Sequence, residues 1–381
     1  MKWIKRPFWL DKIEKAWKKR SVIWLSGVRR VGKTCLCQSL EDAEYFDCEL
    51  PRTRRLLEDP ESFLEDRNGR RIILDEIHRL DNPTEILKIA SDHFPKIKVI
   101  ATGSSSLDAS KKFRDTLTGR KYNIQLTPML YHERSLFDGW DLKHRILYGG
   151  LPPYFLQDKL PNIDFQEWLS AYWARDIQEL FKLEKRHSFM KFTELLLSQS
   201  GEMFEASRFT APCEVSRTSI MNYLSVLEAT YVAYVIRPFS SYIPTEIVSA
   251  PKVYGFDTGF VCYCKGWNKL ENDHFGVLWE HIVLNELIGH YQTLKINYWR
   301  NKQHHEIDFI VQMHERTQPI AIECKWSANK FDPKNLIVFR RHYPEGKNFV
   351  VARDIDKTYT RNYNGIDVVF VSLDNLIKLL T

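Results

Sequence analysis

One short stretch near the amino terminus limits what this chain can fold into. Residues 27–34 read GVRRVGKT, which fits the pattern G-x-x-x-x-G-K-[ST] without a gap. The stretch follows an apolar run at 21–27 that predicts a buried strand, and it precedes a run with helical character, CLCQSLEDAEYF. Glycines between a strand and a helix present backbone N–H groups to phosphate oxygens. The stretch therefore predicts a P-loop in an α/β fold, and a chance match on a glycine turn is the alternative.

Each residue type in this loop has a role in binding a nucleoside triphosphate. Gly27 and Gly32 let the backbone curl around phosphate oxygens, and Arg30 adds positive charge inside the loop. We expect Lys33 to reach the β- and γ-phosphates and the Thr34 hydroxyl to bind Mg²⁺. The sequence thus predicts ATP and Mg²⁺ as cofactors. Because the loop contacts phosphates only, it does not distinguish ATP from GTP.

A second apolar run ends in two acids. It reads RRIILDE at 70–76 and predicts a strand that finishes with Asp75 and Glu76. Open α/β sheets bind their ligands at the carboxyl ends of the strands. We expect Asp75 to hold Mg²⁺, directly or through water, and Glu76 to act as general base toward the attacking water. An ordinary strand ending in acids is the alternative, and the P-loop that precedes it makes that alternative weaker.

A third predicted strand ends in hydroxyl groups. The run at 96–106 reads KIKVIATGSSS. A polar side chain at this end is placed to touch the γ-phosphate or the attacking water, and Ser104 is the first choice with Thr102 second. Ser105 and Ser106 fit equally well as N-caps of a following helix.

The order of these motifs resembles that of a known superfamily. The P-loop is followed by LDEIH at 74–78, TGSSS at 102–106 and TLTGR at 116–120, as in the AAA+ ATPases of bacteria and archaea. The chain is similar over nearly its whole length to the prokaryotic branch whose C-terminal half is an uncharacterised domain. The resemblance implies that Arg120, after Gly119, completes the site of a neighbouring subunit, and hence a ring or other oligomer. A surface salt bridge is the alternative role for Arg120.

The patterning along the chain indicates several domains. A length of 381 residues suffices for two or three, and 44% apolar with 27% charged residues is ordinary for a globular protein. We predict an α/β multidomain fold with four parts: a P-loop AAA+ core with a parallel α/β sheet at 1–130, a helical lid or linker at 131–186, a winged helix-turn-helix at 187–245, and a restriction-endonuclease-like α/β domain at 246–381.

The third part has the pattern of a winged helix-turn-helix, an element that also occurs in the related ATPases. A helix, a turn containing Pro212 and a second helix opened by Ser216 as N-cap precede two β-rich stretches. In this fold the second helix can enter the major groove of DNA. The residues expected to face bases are Arg217, Thr218, Ser219 and Asn222. A protein contact or simple packing is an equal alternative, because the helix carries few Lys or Arg.

The fourth part contains a separate group of charged residues. Glu280 lies in a run that predicts an amphipathic helix, Asp308 in EIDFIVQM, and Glu323 with Lys325 in IAIECKW. Alternation along the first strand would put Asp308 opposite the face shared by Ile307, Phe309 and Val311. If the two strands form a hairpin, Asp308, Glu323 and Lys325 converge, and Glu280 is within reach from the helix.

The order of these four residues resembles that of the PD-(D/E)XK nucleases. The resemblance implies that Asp308 and Glu323 hold a second divalent metal, that Lys325 orients or activates water, and that Glu280 acts as an additional acid. An E-x-K pattern by itself arises often on exposed strands. A domain of this fold can also keep its acids and serve only to bind.

Two functions follow from these motifs. The first is a Mg²⁺-dependent AAA+ ATPase acting on DNA, with a metal-dependent nuclease centre in the C-terminal domain. The net charge of +6 is compatible with nucleic acid without requiring it. The second is a nucleotide-regulated switch or scaffold whose C-terminal domain binds a protein partner and cleaves nothing. Arg175-Asp176, in the run WARDI, fits a nucleotide contact between subunits or, more simply, a helix salt bridge.

The cysteines and the apolar runs predict a cytoplasmic protein. Seven cysteines without zinc-finger spacing are expected to be reduced thiols. The amino terminus lacks the apolar core of a signal peptide. No apolar run approaches the roughly 18 residues needed to span a bilayer, so we expect no membrane partner.

Overall fold

The structure is a computed structural model that describes residues 4–104, 117–137, 140–181, 183–241, 250–292, 294–313 and 317–380. Ser105 and Ser106, the predicted N-caps, lie outside these residues. The strands are β1 (Val22–Ser26), β2 (Ala43–Asp47), β3 (Arg71–Asp75), β4 (Lys98–Gly103), β5 (Lys121–Gln125), β6 (Glu202–Met203), β7 (Ala233–Pro238), β8 (Lys252–Gly255), β9 (Lys295–Arg300), β10 (Glu306–Gln312), β11 (Ile320–Lys325), β12 (Asn348–Ala352), β13 (Tyr359–Tyr363) and β14 (Ile366–Val371).

The helices begin at residues suited to helix starts. Proline opens α1, α3, α4, α5 and α7, where its missing N–H costs nothing. The helices are α1 (Pro7–Trp17), α2 (Lys33–Gln38), α3 (Pro51–Leu56), α4 (Pro60–Glu65), α5 (Pro83–His93), α6 (Leu142–Tyr148), α7 (Pro152–Phe155), α8 (Asn162–Tyr172), α9 (Gln178–Phe181), α10 (Arg186–Ser198), α11 (Ser207–Cys213), α12 (Arg217–Ala229), α13 (Thr258–Lys265), α14 (Phe275–Tyr291), α15 (Lys334–His342) and α16 (Leu373–Leu380). A π turn, Trp173–Ile177, joins α8 to α9.

The first sheet confirms the predicted parallel α/β core. Its five strands lie in the order β2-β3-β4-β1-β5, and each pairs in parallel with its neighbours. Strand β4 lies between β1 and β3, so its carboxyl end separates the P-loop from Asp75. β1 is buried along its whole length, and β4 is buried from Val99 to Gly103, as expected for strands with helices on both faces.

The second sheet runs through the remainder of the chain. Its nine strands lie in the order β13-β14-β12-β11-β10-β9-β7-β8-β6. β7 pairs antiparallel with β8 and in parallel with β9, where Arg237 lies opposite Asn297. The predicted domain boundary at 245/246 lies outside the described residues, and the strands before and after it, β7 and β8, belong to the same sheet. The elements between 186 and 255 follow the order α10, β6, α11, α12, β7, β8, and the winged helix-turn-helix stays a prediction.

Helix α14 is enclosed on nearly all sides, whereas the sequence predicted an amphipathic helix. Its buried residues include Trp279, His281 and Glu286 as well as the aliphatic positions. The helix packs on β11 on one side, and at Gly289 it meets Leu130 and Thr127. It thus connects the ATPase part of the chain to the C-terminal sheet.

A single apolar cluster joins all four predicted parts. It contains Trp9 of α1, Ile23 of β1, Trp168 of α8, Phe192 of α10 and Leu227 of α12. The cluster extends to Phe260 of α13, which lies in the fourth part. Among the described residues, no helix combines the length and the apolar character needed to cross a bilayer.

Candidate functional site

The P-loop requires glycine at both ends. Gly27 has φ 147°, and a Cβ atom there would lie 2.4 Å from the carbonyl oxygen of Leu126. Gly32 has φ 101°, in the left-handed region, and is the N-cap of α2. Both positions exclude a side chain, so the loop backbone can approach phosphate oxygens.

The side chain of the loop lysine folds back onto the backbone of the loop. Lys33 is buried, and its Nζ donates hydrogen bonds to the carbonyl oxygens of Gly27 at 2.8 Å and Val28 at 3.3 Å. Phosphate oxygens bound in the loop would offer this ammonium a charged acceptor in their place.

Asp75 is the centre of a buried hydrogen-bond network. Its Oδ2 accepts from the Thr34 hydroxyl at 2.8 Å and from the Tyr45 hydroxyl at 2.5 Å. Its Oδ1 accepts from Thr102 Oγ1, which in turn accepts from the backbone N–H of Glu76 at 2.9 Å. Thr34 and Asp75, the two predicted Mg²⁺ ligands, are therefore in direct contact. Thr102 positions the two acids, while Ser104 lines the adjacent cavity.

Glu76 has the environment of a general base. It adopts φ 52°, and its Oε2 lies 3.2 Å from His78 Nδ1. Burial raises the pKa of Glu76, and the charge of Asp75 raises it further, while the Lys33 ammonium opposes the shift. A carboxylate with a raised pKa is a better proton acceptor.

A residue from the predicted lid region completes this network. Asp176, in the π turn, is buried and hydrogen-bonds to Ser104. Burial raises its pKa, whereas Arg29 and Lys33 oppose the shift. Within the described part of the chain, Asp176 Oδ2 and Arg29 Nε have no hydrogen-bond partner. Asp176 thus reaches the nucleotide site within its own chain, an arrangement that the sequence analysis did not anticipate; the adjacent Arg175 is exposed.

A cavity of about 380 Å³ opens over the loop. Its polar end is lined by Arg29, Lys33, Thr34, Glu76 and Ser104. Its apolar end is lined by Ile4, Phe137, Pro152, Pro153 and Leu156. Charged and apolar lining residues together suit a ligand that has both a charged and an apolar part. Arg30 also lines the cavity and donates to the Tyr154 hydroxyl at 3.0 Å.

Arg120 lies away from this cavity. Its Nε is 2.8 Å from Asp92 Oδ1, and both side chains are partly exposed. This ion pair corresponds to the salt-bridge alternative given above. Action on a neighbouring subunit stays a prediction.

The predicted DNA-reading residues lie at the start of α12. Ser216 is the N-cap, and its hydroxyl accepts from the backbone N–H of Ser219 at 3.1 Å. Arg217, Thr218 and Asn222 are exposed, and Ser219 is half-buried. The predicted apolar stripe is buried: Ile220, Tyr223, Leu224 and Leu227.

The four charged residues of the C-terminal part converge as expected. Lys325 Nζ lies 2.6 Å from Glu323 Oε2 and 3.2 Å from Asp308 Oδ2. Asp308 Oδ2 also accepts from the backbone N–H of Cys324 at 2.7 Å. Glu280 Oε2 accepts from the Tyr254 hydroxyl at 2.8 Å. Asp308 interacts electrostatically with both Glu280 and Glu323.

Strict alternation in β10 was wrong. The register with β9 shifts between Ile307 and Ile310, which marks a bulge at Asp308. Ile307 packs in the same cluster as Ile310, while Phe309 and Val311 pack in another. A bulge turns the side chains on its two sides to different faces, and bulges are frequent at active sites.

The acids of this group are unequally protonated. Burial, followed by the charge of Asp308, raises the pKa of Glu323 to about 8 and that of Glu280 to about 7. Burial opposes ionisation of Asp308 as well, but Lys325, Lys252 and the Cys324 N–H outweigh it and lower its pKa. Asp308 is therefore the anion of the group, and Lys325 is its main counter-ion.

The group fits a divalent cation in part. Glu323 Oε1 is buried without a hydrogen-bond partner among the described residues, as an oxygen that awaits a cation would be. However, the Lys325 ammonium lies between Asp308 and Glu323. In the described part of the chain, sets of three His, Cys, Asp or Glu ligand atoms within 4.8 Å are formed by His132, Glu286 and His290 and by Glu271, Asp273 and His274. Lys325 would have to move for Asp308 and Glu323 to share a metal.

Comparison with known proteins divides the chain into three parts. Residues 19–135 match an AAA domain, residues 139–271 match a domain of unknown function (DUF8612), and residues 275–373 match another (DUF4143). An uncharacterised protein of Mycobacterium tuberculosis is 26% identical over 327 residues, which are 82% of this chain and 72% of that protein. An uncharacterised protein of Methanocaldococcus jannaschii is 23% identical over 324 residues, 75% of this chain and 70% of that protein.

Two solved structures are similar in part. A Walker-type ATPase of Pyrococcus abyssi aligns with a TM-score of 0.45 and 13% identity, covering 69% of this chain and 96% of that one. The clamp loader delta protein of Bacillus subtilis aligns with a TM-score of 0.27 and 11% identity, covering 73% of this chain and 99% of that one. Scores below 0.5 establish neither architecture nor function. The AAA match and the parallel sheet with its P-loop together identify residues 19–135 as an ATPase domain of the AAA type, for which a nucleotide and usually Mg²⁺ are implied.

Proposed function

We propose that this chain is a Mg²⁺-dependent ATPase that couples nucleotide hydrolysis to its C-terminal part. The observation that carries the proposal is the contact between the Thr34 hydroxyl and Asp75 at 2.8 Å, beside Lys33 and at the polar end of the cavity. A hydroxyl and a carboxylate are the oxygen ligands that P-loop ATPases use for Mg²⁺. The donor set of this site therefore fits the metal.

The residues have separate roles in hydrolysis. Bound Mg²⁺ would neutralise charge on the phosphate oxygens. Lys33 and the loop N–H groups hold the triphosphate in place. Glu76 accepts a proton from water as the water oxygen bonds to the γ-phosphorus, and the bond to the bridging oxygen breaks with its electrons leaving on ADP. Thr102 fixes the Asp75 carboxylate relative to the backbone of Glu76, because its hydroxyl hydrogen-bonds to both.

Turnover of ATP by variants tests this proposal. Lys33→Ala should lose nucleotide binding, whereas Glu76→Gln should bind ATP and lower kcat by about 10²–10⁴-fold. Glu58→Gln is the matched control, because Glu58 is exposed and does not line the cavity. Wild-type kcat in Glu76→Gln would exclude Glu76 as the base.

As a second function, we propose that the C-terminal part acts on DNA as a metal-dependent nuclease. The convergence of Glu280, Asp308, Glu323 and Lys325 supports it, together with Glu323 Oε1, which has no hydrogen-bond partner among the residues that the structure describes. Asp308 and Glu323 would hold the metal, Lys325 would stabilise charge that develops on phosphate, and Glu280 would be the additional acid. The exposed start of α12, Arg217 to Asn222, would contact DNA.

A cleavage assay on single-stranded, duplex and branched DNA tests the second function. Wild type, Asp308→Ala and Lys33→Ala are compared with and without a divalent metal. Loss of cleavage in Asp308→Ala supports the nuclease, and the Lys33→Ala result reports whether ATP drives it. No cleavage with intact ATP turnover favours the alternative, a nucleotide-regulated switch or scaffold whose C-terminal part binds a protein.

We also propose self-association in which Arg120 completes a neighbouring site. Mixing Lys33→Ala subunits, which have an intact Arg120, with Arg120→Ala subunits tests it. Turnover regained in the mixture would support action between subunits. Full activity of Arg120→Ala alone would leave only the Asp92 ion pair as its role.

A further inference from the structure

Two histidines and one buried carboxylate meet where the ATPase domain contacts the C-terminal part. His132 lies in the 3₁₀ turn His132–Leu136, at the end of the AAA match, while Glu286 and His290 lie on α14. Glu286 Oε2 is 3.3 Å from His290 Nε2 and 4.0 Å from His132 Nδ1. The three ligand atoms all lie within 4.8 Å of one another.

We propose that His132, Glu286 and His290 bind a divalent transition-metal ion of the Zn²⁺ class. Imidazole nitrogen and carboxylate oxygen are ligands that such ions prefer, and two histidines with one carboxylate occur in zinc sites that keep a fourth position open. Mg²⁺ prefers oxygen ligands, so this site is chemically distinct from the P-loop and from the acids of β10 and β11.

The spacing of the ligands is close to that of a bound metal. Tetrahedral bonds of about 2.0–2.1 Å place neighbouring ligand atoms about 3.4 Å apart. Glu286 and His290, four residues apart on one helix face, have this spacing already at 3.3 Å. His132 Nδ1, at 4.0 Å, has to approach Glu286 by roughly 0.6 Å. The His132 side chain is 36% exposed, so a small rotation is open to it.

The surroundings orient the three side chains. The backbone N–H of Tyr131 donates to Glu286 Oε1, which leaves Oε2 to face the histidines. Hydrogen bonds of this kind fix metal ligands in known sites. The Phe8 ring packs 4.5 Å from the His290 ring and 5.4 Å from the His132 ring, measured between centroids. Lys12 is a nearby cation, but its Nζ donates to the carbonyl oxygen of His290 at 2.7 Å and not to a ligand atom.

A bound metal would cross-link the end of the ATPase domain to α14 through its ligands. His132 comes from one side of the junction, Glu286 and His290 come from the other, and Phe8 of α1 covers both. The second group of three ligands offers a contrast. Glu271, Asp273 and His274 lie within four residues of each other, and His274 Nδ1 is occupied by the N–H of Glu271. That group connects no separate elements, and it supplies the control.

Titration of the chelator-treated, nucleotide-free protein with Co²⁺ tests the proposal, because Co²⁺ replaces Zn²⁺ and is visible by absorbance. Wild type should bind one equivalent with the spectrum of a nitrogen and oxygen site, in addition to any Co²⁺ held by carboxylates alone, and Zn²⁺ should displace it. His132→Ala and His290→Ala should each lose this equivalent, whereas His274→Ala should keep it. Glu286→Gln should also lose it, although its amide oxygen can still accept from Tyr131.

Melting temperatures give an independent readout of the same site. Zn²⁺ should raise the melting temperature of wild type and of His274→Ala but not that of His132→Ala, since binding to the folded state stabilises it. Equal Co²⁺ binding by wild type, His132→Ala and His290→Ala would overturn the proposal. A sulfur-to-cobalt absorption band in the wild type would also overturn it, because it would assign the ion to cysteine.

Discussion

At the scale of single residues, Asp176 places a buried carboxylate beside the cations that would hold the triphosphate. Asp176→Asn retains a partner for Ser104 but removes the negative charge next to Arg29 and Lys33. We expect ATP to bind about tenfold more tightly, equivalent to about 1.4 kcal/mol, and kcat to fall. Binding and turnover assays measure both quantities.

The control for this prediction is the preceding residue. Arg175→Ala removes an exposed side chain and should change neither affinity nor kcat. Because burial raises the pKa of Asp176, the effect of the Asn variant should grow as the pH rises. Unchanged ATP affinity at high pH would show that Asp176 does not influence the phosphates.

Glu323 gives a prediction for stability against pH. Its pKa is raised to about 8 in the folded chain from 4.5, so the folded state holds its proton more tightly than the unfolded state. The stabilising contribution is full below pH 4.5 and is lost as the pH rises through 8. Glu323→Gln should therefore be more stable than wild type at pH 8.5, by roughly 1 kcal/mol or more, since one pKa unit equals about 1.4 kcal/mol.

Denaturant unfolding at pH 5.5 and pH 8.5 measures this difference. The advantage of Glu323→Gln should shrink toward pH 5.5, where the wild-type carboxyl is neutral. Asp308→Asn should be less stable than wild type by a similar amount at both pH values, because the pKa of Asp308 is lowered and its stabilising contribution is lost only in more acidic solution. An advantage of Glu323→Gln that is independent of pH would contradict the raised pKa.

The residues that the sequence predicted well are those whose chemistry depends on neighbours in the chain. Gly27, Gly32, Lys33 and Thr34 are fixed by one turn between a strand and a helix, so their spacing is sufficient. Asp176 lies 143 positions beyond Lys33 in the chain (176 − 33 = 143), and its contact with the site depends on how the helices fold back on the sheet. No local sequence pattern predicts a contact between residues so far apart in the chain.

At the scale of elements, α14 carries two glycines that differ in whether a side chain would fit. Gly276 faces open space, whereas a Cβ atom at Gly289 would lie 2.6 Å from Leu130 Cδ2 and 3.1 Å from Thr127 Oγ1. Gly289→Ala should destabilise the protein by about 1–3 kcal/mol through overpacking. Gly276→Ala, in the same helix, should stabilise it by about 0.5–1 kcal/mol. Denaturant unfolding compares the two, and equal effects would contradict close packing at Gly289.

Two features of the elements could not be predicted from local sequence patterns. The strands that carry Asp308 and Glu323 were predictable from their apolar runs. The bulge at Asp308 was not, because it depends on the register with β9, a partner that alternation within β10 does not reveal. Likewise, the helical pattern of α14 predicted a helix, but its burial on nearly all sides follows from packing between distant parts of the chain.

At the scale of the whole molecule, the shared apolar cluster predicts cooperative unfolding. α1, the first sheet, α8, α10 and α12 contribute to one core, although the sequence divides them among three predicted parts. We expect a single thermal transition with coincident circular dichroism and tryptophan fluorescence curves. ATP at about 100 times its Kd should stabilise the entire transition by about 2.7 kcal/mol. Two separate transitions, with ATP moving only one, would show that the parts unfold independently.

The wall of the nucleotide cavity gives the chain a chemical marker. All seven cysteines are free, and Cys35, directly after Thr34, is exposed and lines the cavity. Desolvation raises the pKa of its thiol, so alkylation should be slow at neutral pH and should accelerate in alkaline solution. Bound ATP should shield this thiol, and Cys35→Ser should remove the labelling that depends on ATP. Nucleotide occupancy then becomes readable as the labelling rate of one sulfur atom, without any measurement of turnover.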